Sequence, residues 1–90
     1  MKNNTFIYEL WDLFRIYEDE NIFTKLIFRL LNRFTNMRFI YLNEKGFYEA
    51  IDQENYKYAE LRIRHMIEDG IDSNSSRIVR MNTTLALEKI

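Results

Sequence analysis

The chain has 90 residues, with 13 Lys and Arg against 14 Asp and Glu, a net charge of −1, no proline and no cysteine. A mass of 11.1 kDa can bury one hydrophobic core, so we expect a single domain over residues 1–90. The absence of cysteine excludes disulfides, thiolate metal ligands and a cysteine nucleophile, and the balanced charge excludes a strongly basic DNA-packaging protein.

The first half of the chain predicts two helices. Asn4 or Thr5 can cap a helix that runs to about Glu18, because its apolar residues fall on one arc at 100° per residue. Asn21 can cap a second helix over residues 22–35. The short connection between the two favours an antiparallel αα-hairpin. One continuous helix is the alternative, because no Gly or Pro separates the two segments.

Residues 37–51 predict a β-hairpin. The segments 37–42 and 47–51 are rich in β-branched and aromatic side chains, and the residues between them favour a turn. Asp52 is then the expected N-cap of a third helix over residues 53–69.

The end of the chain predicts one more strand. Gly70 is expected to end the third helix, with Ile71 making the apolar contact that often follows such a cap. Residues 77–81 predict a strand, and residues 82–90 either continue it or form a short final helix. The expected fold class is therefore α+β: an N-terminal αα-hairpin, a β-hairpin, a third helix and a C-terminal strand.

Catalysis is the most specific function to test. His65 is the only histidine, and Arg62, Asp69 and Tyr58 share its face of the predicted third helix. A histidine with a carboxylate one turn away can act as a general base. No nucleophile motif accompanies the group, so we predict a protein that is not an enzyme. One histidine without cysteines and two isolated glycines also predict no metal and no cofactor.

A basic stripe on the second helix indicates one possible binding function. Lys25, Arg29 and Arg33 recur every four residues, and Arg38 follows on the predicted strand. Cations at one-turn spacing can bridge successive phosphates, which favours a small DNA- or RNA-binding regulator. The alternative is a solvated helix face, because Lys and Arg are good helix formers. A second basic group is formed by Arg62, Arg64, Arg77 and Arg80.

Residues 38–46 resemble the strand and helix start that follow the recognition helix of winged-helix regulators. The resemblance covers nine of the 90 residues. The two helices predicted upstream lack the small-residue turn of a helix-turn-helix, so we assign no family.

The aromatic content favours a protein interface. Seven Phe, six Tyr and one Trp would together bury on the order of 2,800 Å². Because Ile and Leu compete for the same small core, we predict that part of this apolar surface contacts another chain. The residues predicted to contact protein are Trp11, Ile16, Tyr58, Leu61, Arg62 and His65.

These observations lead to one preferred function. We predict a small, non-enzymatic protein-protein interaction module that inhibits or modulates a larger host protein or nucleoprotein complex, and homodimer formation is a second prediction. Of the 90 residues, 42 are Phe, Tyr, Met, Ile, Asn or Lys, which AT-rich codons encode. Such codon usage is common in phages and mobile elements and favours a phage-type origin.

The predicted location is cytoplasmic, without membrane insertion. Residues 1–5 lack the order of a signal peptide, and no uncharged run approaches the roughly 18 residues that a membrane span needs. The second helix could lie on an anionic membrane through its apolar face. We instead expect that face to pack against the first helix.

Overall fold

The protein is described by a computed structural model over residues 3–90. It consists of five helices, α1 (Thr5–Ile16), α2 (Ile22–Phe34), α3 (Met37–Asp52), α4 (Tyr56–Glu68) and α5 (Ser76–Glu88). Residues 3–90 contain no strand, so the α+β prediction is wrong and the fold is all-helical. The predicted αα-hairpin is present as α1 and α2, and the alternative of one continuous helix is wrong because residues 17–21 are not helical.

Helix α3 occupies the segment that predicted a β-hairpin. Its buried side chains recur at helical spacing and are Met37, Ile40, Phe47, Ala50 and Ile51. Burial of this stripe outweighs the β-propensity of the individual residues. Gly46, predicted to lie in a turn, is inside the helix, where a Cβ would come within 2.9 Å of Arg62 Nε. Glycine at this position therefore lets the α4 side chain lie against α3.

Helix α4 begins later than predicted. Its N-cap is Asn55, whose side chain accepts a hydrogen bond from the Tyr58 N–H at 3.3 Å. Asp52, the predicted cap, is instead the last residue of α3. The wrong cap follows from the strand predicted before it. At the end of a strand, Asp52 would have been free to cap the next helix, whereas in the structure it is still part of α3.

The C-terminal end of α4 confirms the predicted glycine cap. Gly70 has a φ of 101° and donates its N–H to the Ile67 oxygen at 3.0 Å. Ile71 donates its N–H to the Met66 oxygen at 3.1 Å and its side chain is buried. These two bonds form a Schellman motif, which needs the left-handed backbone that glycine adopts without strain.

Helix α5 replaces the predicted strand at residues 77–81. Ser75 caps it by accepting a hydrogen bond from the Ile78 N–H at 3.4 Å, and it continues to Glu88. Its buried side chains, Ile78, Met81 and Leu85, lie three and four residues apart, on one helical face. Residues 82–88 are therefore helical, but as the end of α5 and not as a separate short helix.

The core lies between α1, α3, α4 and α5, and α2 contributes no buried residue to it. Helix α3 packs chiefly on α4, whereas α2 packs chiefly on α1. The radius of gyration is 14.0 Å, against about 12 Å expected for a compact domain of this length. The hairpin therefore extends the molecule, with α2 at its periphery.

No helix within residues 3–90 has both the length and the apolar character needed to cross a membrane.

Candidate protein interface

Only one half of the apolar surface of α2 is covered. Phe28 and Leu31 are half-buried and pack against the core cluster. The other half consists of four side chains that are between 48% and 75% exposed, namely Phe23, Leu26, Leu30 and Phe34. The sequence predicts that the apolar face of α2 packs against α1, but Phe23, Leu26, Leu30 and Phe34 are left exposed.

Helix α1 carries a matching exposed stripe. Phe6, Leu13 and Tyr17 are 75%, 50% and 48% exposed, and their spacing of seven and four residues places them on one side of the helix. The opposite side of α1 holds Tyr8 and Trp11, which are buried. The helix is therefore apolar on two sides, only one of which meets the core.

The stripes of α1 and α2 lie on the same side of the hairpin. On the core side, Trp11 Nε1 donates to Asn32 Oδ1 at 2.8 Å, and the Trp11 ring lies 5.3 Å from Phe28 and 5.5 Å from Tyr41 of α3. Successive residues of a helix are rotated by about 100° about its axis. On each helix the stripe is separated from these core-side contacts by a rotation of more than about 100°, so the stripes point away from α3.

A surface groove lies beside the α1 stripe, near the closed end of the hairpin. It has a volume of about 470 Å³ and is lined by Leu13, Phe14, Tyr17, Glu20 and Thr24. We call the resulting surface the outer face. It consists of Phe6, Leu13, Tyr17, Phe23, Leu26, Leu30 and Phe34.

The outer face is large for a surface in contact with water. With about 200 Å² for a whole aromatic side chain, the exposed parts of its three Phe residues come to roughly 400 Å². The leucines and Tyr17 extend the face to roughly 700 Å². The largest apolar patch on a typical monomer is about 300–600 Å². The outer face is larger than this, as expected for a surface that contacts another molecule.

Charged residues line the two long edges of the outer face. Lys25, Arg29 and Arg33 form the basic edge on α2, and within residues 3–90 none of them makes an ion pair. On the α1 edge, Glu9 is already bonded to Arg77 through both carboxylate oxygens. Three further acids, Glu18, Asp19 and Glu20, occupy the turn at the closed end. The hairpin is therefore basic along α2 and acidic at its closed end.

The residues predicted to contact protein do not form one surface. Trp11 is 2% exposed and belongs to the core, so it is not available to a partner. Ile16 is exposed and lies at the α1 edge of the outer face. The other four are on α4, namely Tyr58, Leu61, Arg62 and His65.

The α4 group lies at a second surface. A depression of about 510 Å³ is lined by Asn55, Lys57, Tyr58, Glu60, Leu61 and Arg64. Arg62 is held against α3: its Nη1 donates to Asn43 Oδ1 at 2.9 Å, its Nη2 donates to the Tyr58 hydroxyl, and its Cζ lies 4.7 Å from the Tyr58 ring centre. This arginine therefore orders the α4 surface and is not free to bind a ligand.

The hypothetical general base at His65 is not assembled. Within residues 3–90 no side-chain hydrogen bond joins His65 and Asp69; instead the Asp69 N–H donates to the His65 backbone oxygen at 2.9 Å. The Asp69 backbone oxygen accepts from the Asn4 side chain at 2.7 Å. The described residues also contain no cluster of three or more potential metal ligands.

The basic residues divide into free and engaged groups. Arg38 is exposed on α3, so its predicted place on a strand is wrong, as is the strand on which the winged-helix resemblance depends. In the second group, Arg64 lies 3.9 Å from Glu60 and Arg77 is bonded to three carboxylates. The basic edge of α2 is thus the main cationic surface without ion pairs in the part of the chain that the structure describes, although Arg33 Cζ lies 5.9 Å from the Phe34 ring centre.

Arg77 is the centre of an ionic network that sequence reasoning missed. Its Nε and Nη2 donate to the two Glu9 carboxylate oxygens at 2.8 and 2.9 Å, and Nη2 also donates to Asp12 at 2.8 Å. Its Nη1 donates to both Glu44 oxygens at 2.7 and 2.8 Å. These hydrogen bonds, above all those to Glu9, raise the pKa of Arg77 above its already high ordinary value, against the effect of burial. One side chain of α5 thereby joins α1 and α3.

Tyr8 completes this network from within the core. Its hydroxyl donates to Glu44 Oε2 at 2.6 Å, and its ring lies 4.9 Å below the Arg77 Cζ. Burial, and then the hydrogen bond to Glu44, raise the pKa of Tyr8 well above its ordinary value of 10.0. The phenol therefore stays neutral under conditions in which an exposed tyrosine ionises.

This pKa shift gives the free energy of unfolding a pH dependence. Because the folded pKa exceeds the unfolded one, the contribution of Tyr8 is fully present below pH 10.0 and is lost as the pH rises further. We expect the free energy of unfolding to fall by about 1.4 kcal/mol per pH unit from this group. Urea titrations of wild type and Tyr8→Phe on both sides of pH 10.0 measure the difference. Equal slopes for the two proteins would contradict the assignment.

No protein-family model, curated protein or solved structure matches the chain. The following proposal therefore depends on the geometry and chemistry of the described residues.

Proposed function

We propose that the chain is a small, non-enzymatic protein-interaction module that inhibits or modulates a larger protein or nucleoprotein complex, and that its outer face binds another polypeptide. The observation that carries this proposal is the uncovered half of α2, where Phe23, Leu26, Leu30 and Phe34 are exposed. Enclosing such a face against protein removes apolar surface from water, which is the main favourable term in association.

The shape and composition of the face support a protein partner. Its centre is aromatic and aliphatic and its rim is charged, which is the arrangement of protein–protein interfaces. Phenylalanines at both ends of α2, Phe23 and Phe34, can enter pockets of a partner as anchors. An extent of roughly 700 Å² is close to the 800 Å² or so that each partner contributes to a standard interface.

A DNA- or RNA-binding regulator is the second candidate function. The observation that favours it is the basic edge, where Lys25, Arg29 and Arg33 are exposed at one-turn spacing. Such cations can neutralise successive phosphates, and the affinity would fall steeply with salt. The apolar outer face has no role in that function, so we rank it second.

Affinity capture of the tagged chain from its native host separates the two candidates. We expect wild type to retain a defined protein after nuclease treatment, and Leu30→Glu to lose most of it, because a charge at the centre of the face must be desolvated on binding. Leu87→Glu is the matched control, since Leu87 is an exposed leucine on α5.

Two outcomes would overturn the proposal. Equal retention of the same protein by wild type and Leu30→Glu would show that the outer face is not the docking surface. Loss of all captured protein on nuclease treatment, together with weaker nucleic-acid binding by Arg29→Ala, would favour the regulator instead.

A further inference from the structure

We propose that the polypeptide that covers the outer face is a second copy of this chain, packed hairpin on hairpin about a two-fold axis that runs along the hairpin. This inference rests on the proposed function and names the occupant of the same surface. In such a dimer α1 of each copy lies on α2 of the other. Four helices would then enclose one apolar layer.

The surface area of the single chain supports this occupant. Its accessible surface is 6565 Å², whereas a monomeric protein of 11.1 kDa is expected to expose about 5,650 Å². The excess of roughly 900 Å² matches one side of a standard protein–protein interface, which is about 800 Å². The extended shape agrees with a dimer, because a second hairpin packed face to face would cover the apolar side of α2 that the single chain leaves exposed.

The charges at the edges select the orientation. A two-fold axis along the hairpin places the basic edge of one copy beside α1 of the other, with Lys25 nearest the acidic turn of the partner. Glu9 is already neutralised by Arg77 and takes no part in this contact. A two-fold axis across the hairpin would place α2 on α2 and oppose the basic edge to itself. Like charges across an interface are unfavourable, which disfavours the second arrangement.

The levels of the side chains along the hairpin identify the facing residues. Trp11 contacts Phe28 and Asn32 within one copy, so residue 13 of α1 lies level with about residue 28 of α2. An axis along the hairpin preserves this level between copies. Leu13 of one copy therefore lies between the partner's Leu26 and the partner's Leu30.

Sedimentation equilibrium tests whether the dimer exists. We expect wild type to have twice the mass of the 11.1 kDa chain and Leu30→Glu to have the mass of one chain. Leu87→Glu should keep the mass of the dimer. Circular dichroism of Leu30→Glu checks that the helices remain, since Leu30 contributes nothing to the core.

Engineered cysteines test the orientation, because the natural chain has none. Under mild oxidation, a mixture of Leu13→Cys and Leu30→Cys should give a disulfide-linked dimer on a denaturing gel, whereas each variant alone should give several-fold less. A mixture of Leu13→Cys and Val79→Cys is the control, since Val79 is exposed on α5. Efficient cross-linking of each single variant alone would overturn the proposed axis.

The outcomes separate this inference from the proposed function. A wild-type chain that is monomeric overturns the proposed dimer. Binding of that monomer to anionic vesicles or nucleic acid would not change this conclusion. If that monomer still captures a protein that Leu30→Glu loses, the docking function stands and only the occupant is wrong. If it captures none, both are wrong.

Discussion

Arg77→Ala is expected to lower the free energy of unfolding by about 3 kcal/mol, equivalent to a melting temperature lower by roughly 10–20 °C. Arg77 is 19% exposed and is bonded to Glu9, Asp12 and Glu44, so its removal leaves three carboxylates close together. Arg15, which donates to Asp12 at 2.8 Å, would be the only cation left in the network. Thermal unfolding followed by circular dichroism measures the effect.

Two further variants show whether the geometry of the network matters. Arg77→Lys should fall between wild type and Arg77→Ala, because an ammonium group has only three N–H donors and cannot form the bidentate bonds of the planar guanidinium. Arg80→Ala, an exposed arginine on the same helix, should stay within about 0.5 kcal/mol of wild type. If Arg77→Ala were as stable as Arg80→Ala, the network would have no structural role.

Trp11→Ala is expected to lower the free energy of unfolding by about 3–5 kcal/mol. Trp11 is buried, its ring contacts Phe28 and Tyr41, and its Nε1 donates to Asn32. Its loss leaves a cavity between α1, α2 and α3 and an amide without its donor. Urea unfolding followed by circular dichroism measures the change without needing the tryptophan signal.

The same variant decides between the two positions considered for Trp11. If Trp11 were a surface contact, as the sequence predicted, its substitution would leave the free energy of unfolding unchanged and remove partner binding. If Trp11 is a core residue, the substitution lowers the free energy of unfolding. Asn32→Ala is a milder companion and should cost about 1 kcal/mol, because Asn32 is exposed and the indole N–H loses only this one side-chain acceptor. A stable, folded Trp11→Ala protein would contradict the packing of the hairpin on α3.

The sequence correctly predicts the elements that have clear boundaries. Asn21 accepts a hydrogen bond from the Thr24 N–H at 2.9 Å, so the cap that divides the hairpin is confirmed. Gly70 ends α4 as expected. These signals are local, since each depends on the backbone of a few neighbouring residues, and local signals can be identified without knowledge of the fold.

The errors concern α3 and α5, in which local propensity and the apolar pattern disagree. Residues 37–42 have the β-branched and aromatic content of a strand, and Gly46 looks like a turn residue. The buried stripe from Met37 to Ile51 nevertheless follows the helical period over four turns. The stripe keeps one helical face from the first predicted strand into the second, across the predicted turn, and this continuity favours a helix.

The sequence predicts an excess of apolar surface but not its location. The apolar arc of α2 was visible, yet its coverage depends on the width of α1 and the position of α3. The Arg77 network was also beyond sequence reasoning, because Arg77 lies 68 residues from Glu9 and 33 from Glu44. Contacts at such separations follow from the packed fold, and no local pattern indicates them.

Hydroxyl-radical footprinting of the wild-type chain tests the central claim most directly, since it measures side-chain accessibility without any substitution. Phe39 and Leu87, exposed on α3 and α5, are internal references for unprotected side chains. We expect Phe23, Leu30 and Phe34 to react several-fold less than their exposed fractions in the single chain imply, and to gain reactivity on dilution. If Phe23 and Phe34 are as reactive as Phe39 at every concentration, the outer face is exposed to water. That result would contradict its coverage by a second copy.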